Sequence, residues 1–222
     1  MDEERKGYLM CFFGVFTWSF SEIVVKLLQG GVGPVSLSFH RFFFGALFLL
    51  LIMVFQKDLN GTIKIVKDHP FLAILASMLG LGISNIIYFI GLHYTQANIG
   101  AALYSTYPLF ISIYAIFILG ERTNLPQKFL GYIIGFIGMF ILITNFQLGL
   151  LFKPENIIGN VLLVLAAAIW GFYSILGKKI FKLENGAIPN IEIKWTAISF
   201  LLSCVPIIII LPFTGETESF LV

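Results

Sequence analysis

A chain of 222 residues that is 58% hydrophobic and 12% charged, with a mean hydropathy of +0.94, has no soluble fold in which to hide its apolar surface. Soluble domains carry about 25% charged residues. Apolar runs of about 20 residues recur instead, enough to cross a hydrocarbon core of about 30 Å as helices, so the chain reads as an all-α, polytopic helical membrane protein. The net charge of +2 says little, because the placement of Lys and Arg matters more than their sum. Nothing calls for a nucleic-acid partner.

The first predicted span, 8–28, follows Arg5 and Lys6 and superficially resembles a signal peptide. It is too long, contains Glu22 and Lys26, and lacks a small-residue cleavage site, so it reads as a retained span. Span two, 35–55, carries Arg41. Span three, 71–92, carries Asn85 and Tyr88, with Gly80-Leu-Gly82 marking close helix packing. Span four, 96–119, places Tyr104, Tyr107 and Tyr114 at spacings of three and seven, hence on one face. Pro108 in the same span frees the carbonyl of Tyr104. Span five, 129–144, holds Gly131, Gly135 and Gly138 on a predicted helix-contact face. Spans six and seven cover 157–176 and 195–211, and no stretch is left for a separate soluble domain.

Basic residues alternate between the connections. Arg5 and Lys6, then Lys57, Lys64 and Lys67, then Arg122 and Lys128, then Lys178, Lys179, Lys182 and Lys194 fall on one side. The other side offers Lys153. The positive-inside rule makes the N-terminus cytoplasmic and, after seven crossings of the plasma membrane, puts the C-terminus of this chain outside. We call the Lys/Arg-rich side the inner end.

One frame occurs twice. Trp18, Phe20, Ile23 and Lys26 match Trp170, Phe172, Ile175 and Lys178 at a constant offset of 152 residues, and Gly7 matches Gly159. Trp and Lys are scarce in this chain, so their coincidence suggests an internal duplication. The second copy lies five spans after the first, which makes the repeats inverted, the plan of many secondary transporters. The repeats divide the chain at 1–152 and 153–222.

The Trp18-to-Lys26 frame, Pro34 followed by Arg41, Tyr94-Thr-Gln-Ala97 leading into Pro108, and Gly120-Glu121-Arg122 followed by Gln127 and Gly131 together resemble the EamA-like family of the drug/metabolite transporter superfamily. The resemblance implies ten helices in two inverted five-helix repeats, moving small metabolites, often outward. Against that plan this chain carries a complete first repeat and two helices of the second. A cavity between repeats would then lack part of one wall, and the missing C-terminal helices or a homodimer mate are the protein partners implied.

No catalytic cluster or metal-ligand spacing is present; His40, His69 and His93 are dispersed, and Cys11 and Cys204 lie inside apolar runs as packing residues. Neither an enzyme nor a cofactor is therefore expected. Charges inside spans remain the informative feature, because each costs about 2.5–3.5 kcal/mol near the bilayer centre on insertion scales. At 1.5 Å per residue, Glu22 and Arg41 lie about 9 and 10 Å from the outer ends of their spans, depths that match. They form either an ion pair that orients two helices or part of a substrate or proton site. Tyr104, Tyr107, Asn85 and Tyr88 fit either a cavity lining or a packing stripe. The resemblance puts the cavity around helices one, three and four, with Trp18 and Trp170 as facing walls. The expected function is a secondary transporter of small metabolites working by alternating access in the lipid bilayer; the alternative is a non-transporting membrane scaffold or assembly partner.

Overall fold

The computed structural model describes residues 3–28, 31–122, 124–144 and 154–216. The side chains of Trp18, Glu22 and Lys26 lie outside the described residues. Helices stand at all seven predicted spans, and no strand occurs among the described residues. They are α1 (Glu3–Leu28), α2 (Pro34–Phe55), α3 (Thr62–Asp68), α4 (Pro70–Ile74), α5 (Ser84–His93), α6 (Ala97–Tyr104), α7 (Tyr107–Leu119), α8 (Leu125–Thr144), α9 (Pro154–Glu184) and α10 (Ile191–Ile210). Five of these crossings, at Pro34–Phe55, Pro70–His93, Ala97–Leu119, Ile157–Glu184 and Ile191–Phe213, are long and apolar enough to span a bilayer. This is a multi-pass membrane protein whose apolar outer faces meet lipid.

Two spans are irregular. Between α4 and α5 the third span passes through nine residues of π-helix, Leu75–Ile83. The fourth span breaks at residues 105–106, where Pro108 sits in the first turn of α7 and Thr106 Oγ1 donates to the carbonyl of Leu103 at 2.7 Å. The break falls just before the proline because its ring cannot follow a helical turn without a clash. Gly120, at φ 68°, closes α7 in the left-handed region that favours glycine.

The predicted sixth span was too short. Helix α9 runs on to Glu184 and stops at Asn185 and Gly186, both at positive φ. Lys178, Lys179 and Lys182 are therefore helical residues, not connection residues, since nothing between 176 and 184 breaks a helix. Lys194 likewise lies in the first turn of α10, with its side chain 0% exposed.

Helix α9 is the centre of the bundle, packed against α5, α6, α7 and the π-helical segment; α10 packs against that segment and α2. Small residues permit the contacts. A Cβ on Gly80 would meet Tyr173 at 2.9 Å, and one on Gly82 would meet the Ser203 carbonyl at 2.9 Å, so this pair packs as predicted. Gly131, Gly135 and Gly138 do not: nothing lies within 4 Å of a Cβ at any of them. Gly131 and Gly135 instead line a groove across from Ser105, Thr106 and Pro108.

The connections gather at two ends. At the inner end Asp58 meets Asn190 and Lys194, His69 meets Glu184, and Glu121 meets Lys178 and Lys182. At the opposite end Thr95 Oγ1 donates to Asn160 Oδ1 at 2.9 Å, and Glu216 Oε2 accepts from the backbone N–H groups of Val35 and Ser36 at 3.0 and 2.9 Å. That carboxylate caps the positive N-terminus of α2 in place of a side chain at Gly33. A side chain at Gly33 would displace this cap, since its Cβ would fall 2.1 Å from the Glu216 carboxyl carbon.

Candidate functional site

The buried aromatic cluster stands where α5, α6, α7 and α9 converge. Tyr88 on α5 and Tyr104 at the end of α6 are both buried, with ring centroids 4.5 Å apart. Tyr104 lies 6.0 Å from Tyr107 across the break in span four and 6.2 Å from Trp170 on α9. Phe89, Leu92, Leu163, Ala166 and Ala167 pack around the cluster, and Val25 brings α1 to its edge.

Two polar groups lie on the same stretch of α5. Asn85, one turn before Tyr88, is 1% exposed, and its Oδ1 has no hydrogen-bond partner among the described residues. An unpaired buried carbonyl costs about 1–3 kcal/mol, so such groups call for an explanation. Arg41 reaches from α2, with Cζ 5.9 Å from the centre of the Phe89 ring. It is half-buried, and a guanidinium over an aromatic face is attracted by the ring quadrupole.

Of the sequence-predicted residues, Tyr88, Tyr104, Tyr107 and Trp170 come together, while Asn85 and Arg41 adjoin them through α5. Trp18 and Glu22 lie outside the described residues. Pro108 does not join the cluster: it is exposed and lines a groove with Ser105, Thr106, Gly131 and Tyr132, toward α8. The proline ring turns away because its job is to set the break, one residue beyond Tyr107. Tyr114 leaves the stripe as well and meets Phe172 edge-on at 5.8 Å.

Sequence reasoning missed Tyr173. It sits 5.5 Å from Trp170 and stacks on Trp195 at 6.0 Å and 15°, and its hydroxyl lies 3.1 Å from Ser199 Oγ. Its place three residues after Trp170, on the same helix face, was the available signal. Tyr173 thus links the cluster to the inner end.

The inner end was also missed. Lys194 Nζ donates to Asp58 Oδ1 at 2.6 Å and to the Pro189 carbonyl at 2.8 Å, and Asn190 Nδ2 donates to Asp58 Oδ2 at 2.7 Å. The hydrogen bonds from Asn190 and Lys194 hold the Asp58 carboxyl below its ordinary value. Those from Lys182 and Lys178, at 2.6 and 3.2 Å, do the same for Glu121. His69 Nε2 lies 3.0 Å from Glu184 Oε1, and Lys64 lies 3.9 Å from the other oxygen. Among the described residues no group of His, Cys, Asp and Glu is arranged to hold a metal ion.

The sequence profile of the EamA-like transporter family matches residues 5–144. An uncharacterized transporter of Clostridium kluyveri is 28% identical over 219 residues, which are 96% of this chain and 67% of that protein. The uncharacterized transporter YyaM of Bacillus subtilis is 25% identical over 208 residues, covering 93% of this chain and 65% of its own length. The WAT1-related protein At4g01450 of Arabidopsis thaliana is 25% identical over 139 residues, 60% of this chain and 38% of that protein. The chain therefore spans about two thirds or less of these relatives. A solved crystal structure shares the fold, with a TM-score of 0.68 at 20% identity, covering 94% of this chain and 67% of that one. The family and the two bacterial relatives carry the names of transporters, not of enzymes.

Proposed function

Because the chain belongs to the EamA-like transporter family, we propose that it is the first part of a secondary transporter that moves small polar or amphipathic metabolites, outward across the plasma membrane, by alternating access. The transporting unit is this chain together with the walls that the rest of a second repeat supplies. Its N-terminus is cytoplasmic, a reading supported by the Lys/Arg asymmetry of the connections. Substrate binds at the aromatic cluster, between α5, α6 and α7 of the first repeat and α9 of the second.

The observation that carries this reading is Asn85 Oδ1, which is buried one turn before Tyr88 and has no hydrogen-bond partner among the described residues. A packing core has no use for an orphaned carbonyl, whereas a ligand with an N–H or O–H donor satisfies it on binding. Tyr and Trp faces supply apolar contact, and Arg41 gives the site a positive neighbour.

Mass spectrometry of metabolites released from vesicles carrying the protein, as its own gene expresses it, tests the reading. Saturable release should fall at least tenfold in Tyr104→Leu and in Asn85→Leu while the folded yield is kept. Release that neither change affects, or none above empty vesicles, overturns the proposal.

A further inference from the structure

Three ion-pair clusters join the first part of the chain to the second, and all three stand at the inner end. Asp58 from the connection after α2 is held by Asn190 and Lys194; Glu121 after α7 is held by Lys178 and Lys182; Glu184 at the end of α9 is held by His69 and Lys64. The exchange is reciprocal, since each part contributes carboxylates to the other's cations. At the opposite end the described links between the parts are a neutral Thr95–Asn160 bond and the cap that Glu216 places on α2.

Two of the elements clasped at this end are irregular along their length. The π-helical segment lies between α4 and α5, and Pro206 lies inside α10, where it cannot supply its backbone hydrogen bond. The two irregularities touch: a Cβ on Gly82 would meet Pro206 Cγ at 3.0 Å. Pro and π-helical turns are where helices bend. Between this level and the clasp lies the stacked pair of Tyr173 and Trp195, whose far side faces Trp170.

We propose that the three ion-pair clusters are the inner gate of the substrate site, and that α10 bends at Pro206, and the third span at its π-helical segment, as α3, α4 and residue 121 part from the inner ends of α9 and α10. The proposal rests on the transport reading and deepens it. Ion pairs suit a gate at the water boundary, because the attraction lost on parting is largely returned as hydration of the freed charges. The apolar seam behind them, in which Ile65, Ile180, Ile188 and Trp195 are buried, loses its burial on parting, so the closed state is the resting one. Lys194 is the key member: wholly buried when closed, it regains water only when the end opens.

Ser199, buried beside Tyr173 just above the clasp, reports the opening. In a background with Cys11→Ser and Cys204→Ser, Ser199→Cys is labelled with a membrane-impermeant maleimide from each side of sealed vesicles. It should be protected from both sides. Adding Asp58→Asn and Glu121→Gln should raise the labelling rate at least tenfold from the Asp58 side and less than twofold from the other. The exchange Asp58→Lys with Lys194→Asp should restore protection to within threefold. If Asp58→Asn does not reach the membrane folded, Glu121→Gln alone should still give a threefold one-sided rise. Unchanged labelling in a folded variant, or an equal rise from both sides, overturns the gate. Labelling needs no substrate, so one-sided opening without saturable flux would sink the transport reading alone, and flux without one-sided opening would sink the gate alone.

Discussion

Helices α1 and α9 carry the same Trp-to-Lys frame and come to rest in opposite surroundings. On α9, Ile175 is 1% exposed, Phe172 packs edge-on to Tyr114, and Gly159 touches backbone, its Cβ position only 2.7 Å from the Gly91 carbonyl. On α1, the matching Ile23 is 57% exposed, Phe20 is exposed, and nothing approaches Gly7 within 4 Å. Helix α1 reaches its neighbours mainly through α6 and through Val25 at the edge of the aromatic cluster. A duplicated sequence thus specifies a contact face without specifying what meets it. In lipid an unmet apolar face is cheap, because acyl chains are as apolar as Leu. On the proposed inverted repeat, α9 meets the third and fourth spans of the first copy, so the face of α1 corresponds to the third and fourth spans of a second.

The largest expected effect separates the two glycines. Gly159→Leu drives a side chain into the backbone of α5, and overpacking of a tight core costs about 1–3 kcal/mol and occasionally more. Here the obstacle is a carbonyl that cannot swing aside, so the loss should reach about 3 kcal/mol, read from thermal unfolding in detergent and in lipid. Gly7→Leu should stay within about 0.5 kcal/mol of the parent. Equal losses would mean that α1 is packed as tightly as α9. Next in size are the isoleucines: Ile175→Ala should cost about 2–4 kcal/mol, and Ile23→Ala less than about 0.5. A large loss at Ile23 would break the comparison outright.

The seven spans were legible because hydropathy in a bilayer is a one-dimensional signal, and Pro108 announced the break in span four. The π-helical segment was not, since Leu75–Ile83 contains only ordinary helix-compatible residues and two glycines. Those glycines and the ones on α8 looked alike; which pair packs depends on whether another helix arrives. Tyr88, Tyr104, Tyr107 and Trp170 were legible as a cluster, although Pro108 faces α8. The inner gate was opaque for a different reason. Asp58 and Lys194 are separated by 136 positions, and each alone reads as a solvated loop charge.

A smaller effect tests how the inner end of α10 is fixed. The folded-state value of Asp58 is depressed below the ordinary 3.8 by its bonds to Asn190 and Lys194. A depressed carboxylate contributes stability that is present above its ordinary value and lost as pH falls toward the folded one. The thermal stability of the parent should therefore exceed that of Asp58→Asn from neutral pH down to about pH 4, and the gap should close below about 3.8. A gap that persists unchanged at pH 3 would show that the carboxylate's charge plays no part in holding α10 there.

The smallest effect concerns α1 itself. With few packed neighbours, that helix depends on specific contacts, and the matched depths of Glu22 and Arg41 propose one between spans one and two. Replacing one partner leaves an uncompensated charge within the membrane, whereas removing both does not, so Glu22→Gln should destabilise more than Glu22→Gln with Arg41→Gln. Polar contacts between helices in membranes are modest, so the coupling in a double-mutant cycle should be about 0.5–1 kcal/mol. Phe89 supplies part of what holds Arg41, at 5.9 Å from its guanidinium carbon, which is a further reason for the coupling to be small. Strict additivity of the two changes would remove the pair and leave Val25 as the described anchor of α1 on the cluster. Glu22 would then be better read as a carboxylate available to substrate or proton, and Glu22→Gln would abolish the pH dependence of transport while leaving the melting temperature in place.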